Sequence, residues 1–325
     1  MRIVVTGATG NVGSSLLRQL GDDPAVDSVV GLARRSTGLN PPKVRWHLVD
    51  VATDDLKRHF DGADAVVHLA WLSRPTHSPQ VTWDNNVGGS ARVLEAVVQA
   101  RVPKLVMASS VGAYSPGRDD TPVDESWPTH GWSAASYSRE KAYVERLLDT
   151  FELRNPDCRV VRLRPAFTFQ RLSASQQRRL FAGPLIPGSW VKRQFIPALP
   201  APRGLRFQAL HTDDAAKGYL LAALRDVRGE FNLAADPVVT TEDIAALLDA
   251  KTFQVPPSTV RSLISAAWSS HVIPASPHLF DLVMRLPLMS SQRARDELGW
   301  SPSMNGIQAI EAFLAGLQRG AHVTA

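Results

Sequence analysis

A glycine-rich turn near the start of the chain constrains the fold more than any other stretch. The segment Thr6-Gly7-Ala8-Thr9-Gly10-Asn11-Val12-Gly13 directly follows a short apolar run and precedes a helical pattern. Such a turn needs residues without a Cβ, because backbone amides must come close to a phosphate, and the helix N-terminus adds partial positive charge. The spacing of Gly7, Gly10 and Gly13 predicts a cradle for the pyrophosphate of a dinucleotide, over the residues between the second and third glycines.

Short β-type runs alternate with helical patterns through the first half of the chain. The predicted strands have nearly continuous apolar residues, as parallel strands buried on both faces do: Arg2–Val5, Ser28–Ala33, Val44–Val49, Ala65–Leu69, Lys104–Ala108 and Arg159–Leu163. The predicted helices between them include Asn11–Leu20, Val81–Ala100 and Ser136–Phe151. Repeated βα units predict an α/β fold with a doubly wound parallel sheet of the Rossmann type and right-handed crossovers.

Periodicity is weaker after Pro165, and residues 166–206 are too long for a plain loop. We therefore expect a smaller C-terminal substrate-binding region, formed by about 166–204 and 236–325. The dinucleotide-binding domain is expected to comprise 1–165 and about 205–235. The elements predicted in this half are a strand at Leu205–Leu210, a helix at Asp213–Leu224 with Thr212 as its N-cap, a last strand at Phe231–Ala234, and helices at Thr240–Leu248 and Asn305–Leu317.

A second motif, Tyr137-Ser138-Arg139-Glu140-Lys141, lies within a predicted helix. Tyr137 and Lys141 are four residues apart, so they share one helical face. A nearby ammonium, together with an oxidised nicotinamide, is expected to lower the tyrosine pKa from its usual value of about 10. The phenol then exchanges a proton with an alcohol or ketone near neutral pH. A serine at the end of the preceding strand, Ala108-Ser109-Ser110, is placed to bond the same substrate oxygen, so the sequence predicts hydride transfer.

The end of the second predicted strand bears on the choice of cofactor. An Asp or Glu at this point would bond the 2′-hydroxyl of NAD. The strand ends instead at Ala33 and is followed by Arg34 and Arg35, which favour the 2′-phosphate of NADP through charge-assisted bonds. Two solvated surface arginines are the other explanation, so the prediction is NADP first and NAD second.

These motifs and several others, in the same order, resemble the extended short-chain dehydrogenase/reductase family, in its NAD-dependent epimerase/dehydratase branch. The resemblance implies that Ser110 is the active-site serine, that Tyr137 is the acid/base and that Lys141 holds the nicotinamide ribose. The matching segments run nearly from end to end: Thr6–Gly13, Asp50-Val51, His68-Leu69-Ala70, Asn86–Gly89, Ser109–Tyr114, Tyr137–Lys141, Arg164-Pro165-Ala166, His211–Asp214 and Leu298–Pro302.

The resemblance also extends the predicted cofactor site. It implies that Asp50 and Val51 lie at the adenine, that Ala70 lines the cofactor groove and that Asn86 supports the site from the preceding helix. Adding the glycine turn and the arginine pair, the predicted cofactor-binding set is Gly7, Gly10, Asn11, Val12, Gly13, Arg34, Arg35, Asp50, Val51, Ala70, Asn86, Ala108, Tyr137 and Lys141. His211 and the acids after it are expected to be structural.

Three functions remain open. Dehydration is disfavoured, because sugar dehydratases of the family carry an acidic pair after the active-site Ser or Thr, whereas Val111 and Gly112 follow Ser110 here. Hydride transfer to or from a small-molecule carbonyl or alcohol is the first choice. A nucleotide-sugar 4-epimerase with tightly bound NAD is the alternative, favoured by the tail at 294–302. A non-catalytic dinucleotide sensor is the third and least favoured, because such relatives usually lose the Tyr or the Lys, whereas this chain keeps both Tyr137 and Lys141.

Composition and charge restrict location and partners. The net charge of +5 comes without a dense Lys/Arg block, so no nucleic-acid partner is predicted. A single cysteine, Cys158, excludes an intrachain disulfide and fits a reducing compartment. No signal peptide, membrane span or metal motif is predicted, so the expected location is the cytoplasm. A homodimer is expected through the helices containing Asn86–Ala100 and Tyr137–Phe151.

The sequence gives little information about the substrate. Trp71, Trp127 and Trp132 would suit an apolar or ring-bearing substrate if they lined the mouth of the site, and ordinary packing is the other explanation. A group of basic residues could hold a diphosphate or be solvated: Arg171, Arg178, Arg179, Lys192 and Arg193.

Overall fold

The computed structural model describes residues 1–35, 38–73, 77–171, 174 and 196–318. Within those residues the main element is a seven-stranded sheet in which every recorded pairing is parallel, with the order β10-β6-β5-β4-β1-β2-β3. Its strands are β1 (Arg2–Thr6), β2 (Ser28–Ala33), β3 (Val44–Leu48), β4 (Ala65–His68), β5 (Lys104–Ala108), β6 (Arg159–Pro165) and β10 (Gly229–Leu233). The predicted doubly wound parallel sheet is confirmed.

Helices cover both faces of this sheet and close two apolar cores. The helices are α1 (Asn11–Asp22), α2 (Lys57–Phe60), α3 (Pro79–Trp83), α4 (Gly89–Gln99), α5 (Ser136–Arg154) and α6 (Thr212–Leu224). On one face, α1 and α6 bury residues such as Leu16 and Tyr219. On the other, α2, α4 and α5 bury residues such as Phe60, Val97 and Leu148. Strands buried on both faces explain the nearly continuous apolar runs in the sequence.

The remaining strands of the described residues form two smaller sheets. A three-stranded sheet joins β11 (Ala235–Thr240), β9 (Arg206–His211) and β7 (Phe167–Phe169), and β12 (Lys251–Val255) pairs with β8 (Ala198–Pro202). The helices here are α7 (Thr241–Leu248), α8 (Pro257–Ser269), α9 (Pro277–Val283), α10 (Gln292–Asp296) and α11 (Gly306–Gln318). No helix in the described ranges is long and apolar enough to cross a membrane.

Three local expectations are wrong. The predicted helix Val81–Ala100 is interrupted by a π-helical turn, Asp84–Gly88, between α3 and α4. Thr212 is the first residue of α6, and the N-cap is His211, whose Nδ1 accepts from Asp213 N at 3.2 Å. Phe231–Ala234 is not in the last strand, since β11 and β12 follow it.

Candidate functional site

The glycine turn lies where the strand order reverses, between β1 and β4. Gly7 has a φ of +69°, and a Cβ there would lie 2.5 Å from Ala70 N. A Cβ on Gly13 would lie 2.4 Å from Gly7 O. Gly10 N donates to Gly7 O at 2.9 Å and closes the turn. The turn therefore has no room for a side chain at Gly7 or Gly13, and it lies in the crevice above β1, the place where open α/β sheets bind ligands.

Helix α1 begins directly after this turn. No side chain in the described part of the chain caps it at Gly10, so its first-turn amides are available to an anion. The side chain of Asn11 is engaged elsewhere, because its Oδ1 accepts from Gln170 Nε2 at 2.6 Å. Asn11 and Val12 thus offer their backbone, and the cradle fits the pyrophosphate of a dinucleotide.

The residues predicted for the adenosine half lie close together. Arg34, just past the end of β2, has its Nη1 3.9 Å from Asp50 Oδ2 and donates to Asn85 Oδ1 at 3.4 Å. Both Arg34 and Arg35 are exposed. Val51, the next residue after Asp50, faces the start of α4, where a Cβ on Gly89 would lie 3.0 Å from Val51 Cγ2. The residues predicted for this end contribute the guanidinium groups of Arg34 and Arg35 and the carboxylate of Asp50.

Tyr137, near the start of α5, meets the turn that follows β5. Its Oη donates to Ser110 Oγ at 3.0 Å. Ser110 Oγ also accepts from Gly112 N at 3.0 Å, which leaves its own hydrogen free for another acceptor. A Cβ on Gly112 would lie 2.7 Å from Tyr137 Cε1, so the ring rests directly on the glycine. Any side chain at position 112 would collide with this ring.

Lys141 lies one turn further along α5 and is buried, at 4% exposed. Its Nζ donates to Ala108 O at 2.8 Å and lies 3.4 Å from the centre of the Trp71 ring. Burial lowers the pKa of Lys141 to about 7, while Glu145 and Glu140 oppose that shift. Trp71 also meets the Tyr137 ring edge-on, with centroids 6.1 Å apart.

The expected lowering of the Tyr137 pKa is wrong for this structure. Burial raises the pKa of Tyr137, only partly offset by the hydrogen bond with Ser110, and Glu140 raises it further. The ammonium of Lys141 is directed to a carbonyl oxygen and an indole ring instead. Tyr137 is therefore a protonated phenol here, suited to giving a proton.

Asn86 lies in the π-helical turn and holds the loop after β4 against α5. Its Oδ1 accepts from Leu72 N at 2.6 Å, and its Nδ2 donates to Glu140 Oε2 at 2.7 Å. Glu140 Oε1 accepts from Thr82 Oγ1 at 2.6 Å. The structure thus places Asn86 as a support for the residues around Ala70. Single-turn π-helical insertions are frequent at functional sites.

Comparison with known proteins assigns the family. Residues 3–182 match the profile of the NAD dependent epimerase/dehydratase family. The match covers more than half of the chain, including the glycine turn and the Tyr137–Lys141 pair. The chain belongs to this family. The resemblance drawn from the motifs is therefore confirmed.

Relatives of the chain differ in how much of it they match. A protein of Mycobacterium tuberculosis described as uncharacterized is 27% identical over 319 residues, covering 96% of this chain but 30% of that protein. The chain thus spans about 30% of the length of that relative. A UDP-glucose 4-epimerase of Streptomyces lividans is 33% identical over 157 residues, or 45% of this chain and 46% of that enzyme.

Solved structures resemble the whole chain. The UDP-glucose 4-epimerase of Thermotoga maritima with UDP-glucose has a TM-score of 0.75 at 18% identity, covering 98% of this chain and 99% of the other. The UDP-glucose 4-epimerase of Thermus thermophilus in complex with NAD has a TM-score of 0.74 at 22% identity, covering 99% and 100%. At these identities the likeness establishes the fold.

Sequence reasoning missed the acidic side chains behind the site. Glu140 and Glu145 flank Lys141 on α5, and both are buried. Their positions, one residue before Lys141 and four residues after it, were the signal that could have identified them. Trp71 lies on Lys141, and Trp132 packs with Tyr137 in an apolar cluster. Four of the basic residues considered for a diphosphate lie outside the described residues: Arg178, Arg179, Lys192 and Arg193. Among the described residues no group of His, Cys, Asp or Glu is arranged to hold a metal.

Proposed function

We propose that this chain is a nicotinamide-dinucleotide-dependent oxidoreductase acting on a carbonyl or alcohol carbon of a small molecule. The observation that carries the proposal is the 3.0 Å contact between Tyr137 Oη and Ser110 Oγ beside the buried ammonium of Lys141. A bound nicotinamide supplies or accepts the hydride. The protein's own part is to place the substrate oxygen and to move a proton at Tyr137 Oη.

The hydrogen bonds fix the direction of each proton. Ser110 Oγ accepts from Tyr137 and from Gly112 N, so its hydrogen is the one left to donate to a substrate oxygen. That bond holds the oxygen within reach of Tyr137 Oη, whose raised pKa keeps the phenol protonated at neutral pH. During reduction the Tyr137 O–H turns from Ser110 Oγ to the substrate oxygen and gives its proton as negative charge develops there, and the phenolate takes the proton back in the reverse direction.

The dinucleotide is proposed to bind along the glycine turn, with Lys141 at the nicotinamide ribose and Asp50, Val51 and Ala70 along the groove. The preference for NADP over NAD rests on Ala33, which stands where a carboxylate would repel a 2′-phosphate. Calorimetry with both cofactors tests it. An Arg34→Ala, Arg35→Ala double variant should lose about tenfold or more in affinity for NADP and little for NAD, and equal wild-type affinities would refute the preference.

A nucleotide-sugar 4-epimerase is the second candidate. It is supported by the names of the relatives, since a UDP-glucose 4-epimerase is 33% identical over 157 residues and the fold neighbours include UDP-glucose 4-epimerases. The same three residues, Ser110, Tyr137 and Lys141, would carry out epimerisation, because removal and return of a hydride at one carbon needs a single acid/base. A panel of nucleotide sugars separates the two: conversion to the 4-epimer without net change in cofactor absorbance selects the epimerase.

Tyr137→Phe tests the chemistry shared by both candidates. The substitution removes the proton donor and keeps the ring that packs on Gly112. Turnover of whichever panel substrate the wild type accepts should fall about 10²–10⁴-fold, while the calorimetric Kd for the cofactor stays within a few-fold. Full turnover by the variant would place the proton path elsewhere.

The finer predictions on assembly and location are also proposals. Exposed apolar side chains on α4 and α5, Val98, Tyr143 and Leu153, support a homodimer through these helices. Light scattering that gives a monomer at micromolar concentration would contradict it.

The burial of Cys158, the sole cysteine, is compatible with a cytoplasmic protein. Residues 166–204 and 236–325 are proposed to bind the substrate.

A further inference from the structure

The row of α5 side chains that faces the end of β5 has a third member. Tyr137, Lys141 and Glu145 are successive at intervals of four, so they lie one above another on one helical face. Tyr137 Oη donates to Ser110 Oγ at 3.0 Å and Lys141 Nζ donates to Ala108 O at 2.8 Å. Glu145 Oε1 accepts from Ser109 Oγ at 2.5 Å. Each of the three residues at the strand end is therefore held by one member of the row.

Glu145 is itself held by two guanidinium groups on β6. Arg164 Nε and Nη2 donate to its two oxygens at 3.0 and 3.1 Å, and Arg162 Nη1 donates to Oε2 at 2.9 Å. Glu145 is 0% exposed, and both arginines are buried. Burial alone would raise the pKa of Glu145, but Arg164 and Arg162 outweigh it and lower the pKa to about 2. The carboxylate is thus a fixed, charged acceptor.

The same guanidinium reaches the far side of the catalytic serine. Arg164 Nη1 donates to Tyr114 Oη at 3.0 Å and to Glu125 O at 2.9 Å. Tyr114 Oη donates to Asn232 Oδ1 at 2.7 Å. The segment that carries Ser110 is therefore anchored on both sides, at Ser109 through Glu145 and at Tyr114 through Arg164.

We propose that Glu145 is a positioning residue for the reaction, acting through Ser109 to hold Ser110 within hydrogen-bond distance of Tyr137. This inference rests on the proposed function, because it assigns a role in placing the reacting oxygen. Glu145 does not touch the crevice. Its bond to Ser109 fixes the position of the end of β5 relative to α5. The 3.0 Å contact between Ser110 Oγ and Tyr137 Oη depends on that position.

Ser109→Ala tests the inference without disturbing the buried ion pairs. We expect kcat to fall about tenfold, with KM and the calorimetric Kd for the dinucleotide that wild type binds more tightly within twofold of wild type. A crystal structure of the variant should have Tyr137 Oη and Ser110 Oγ separated beyond about 3.5 Å, the limit of a hydrogen bond. Ser109→Thr, which keeps the hydroxyl, should restore both the contact and most of kcat.

Ser291→Ala is the matched control, because Ser291 is a buried serine whose Oγ bonds the backbone of Ala234 and not Ser110 or a member of the row. It should leave kcat unchanged even if the melting temperature falls. Glu145→Gln is a second probe, expected to lower kcat at least as much as Ser109→Ala if it folds. A Ser109→Ala variant that keeps the 3.0 Å contact overturns the inference, as does one that keeps full kcat. If wild type turns over nothing in the panel, the proposed function fails, and the crystallographic distance still decides the positioning role.

Discussion

Gly112 packs directly against the ring of Tyr137. The Cβ of an alanine at this position would lie 2.7 Å from Tyr137 Cε1 and 3.2 Å from Tyr137 Cδ1, closer than a carbon contact allows. Since the ring belongs to α5, which is anchored by Lys141 and Glu145, it has to tilt away from Ser110.

Gly112→Ala should therefore reduce kcat about 100-fold, the usual cost of misplacing a catalytic group by an ångström. The Kd for the cofactor should change little, because the glycine turn is untouched. Steady-state kinetics and calorimetry measure the two. Gly38→Ala is the control, since a Cβ at Gly38 meets nothing within 4 Å, and equal losses in the two variants would contradict the steric explanation.

The candidate residues near the reacting oxygen could be predicted from the sequence because their spacing is local. Tyr137 and Lys141 share a helix turn, and the glycines share one loop, so short motifs are enough. The contacts of Glu145 could not be predicted this way, since its partners Ser109 and Arg164 are distant in sequence. The Tyr137 pKa was misjudged because its direction depends on burial and on where the Lys141 ammonium points.

At the scale of the elements, Lys104 connects β5 to the end of α6. Its Nζ donates to Ala223 O and Arg225 O, both at 2.7 Å, and so satisfies carbonyls left open at the helix C-terminus. The side chain is 6% exposed, and burial lowers its pKa. A buried lysine here joins the sheet to one helical layer.

Lys104→Met should lower the free energy of unfolding by roughly 1–3 kcal/mol, because it leaves the buried carbonyl oxygen of Ala223 and the part-buried one of Arg225 without this donor. Urea unfolding at neutral pH measures the change. Lys217→Met, at an exposed position on α6, is the control and should have an effect within about 0.5 kcal/mol. Similar losses in both variants would mean that the cap contributes little.

The sequence predicted the elements of the seven-stranded sheet more accurately than the elements outside it. Ser28–Ala33 and Lys104–Ala108 agree with the predicted bounds, since a buried parallel strand is marked by a continuous apolar run. The strand β12 was missed because four of its five residues are exposed and have no such run. The π-helical turn was missed because apolar spacing through α3 and α4 is still close to helical.

At the scale of the whole molecule, Lys141 makes stability depend on pH. Its pKa is about 7 in the folded protein and 10.5 in the reference state. Between these values the unfolded chain binds the proton and the folded chain does not, so stability rises with pH. The sign is opposite to that of a lysine stabilised by an ion pair.

Wild type should gain roughly 2 kcal/mol of unfolding free energy from this group between pH 7 and pH 9. Lys141→Met should lack that gain, because nothing titrates at the position. Urea unfolding of both proteins at the two pH values gives the difference. Parallel pH profiles would mean that Lys141 keeps its proton in the folded state.

An acid after the active-site serine, as in the sugar dehydratases, is easy for this chain to gain by mutation but costly to pack. Every glycine codon is one nucleotide change away from a codon for aspartate or glutamate, so an acid at position 112 is genetically close. The packing of Gly112 against the tyrosine ring makes the first step costly, because the new side chain displaces Tyr137 before any second acid can work. A chain that gains an acid at position 112 therefore has to shift the start of α5 as well.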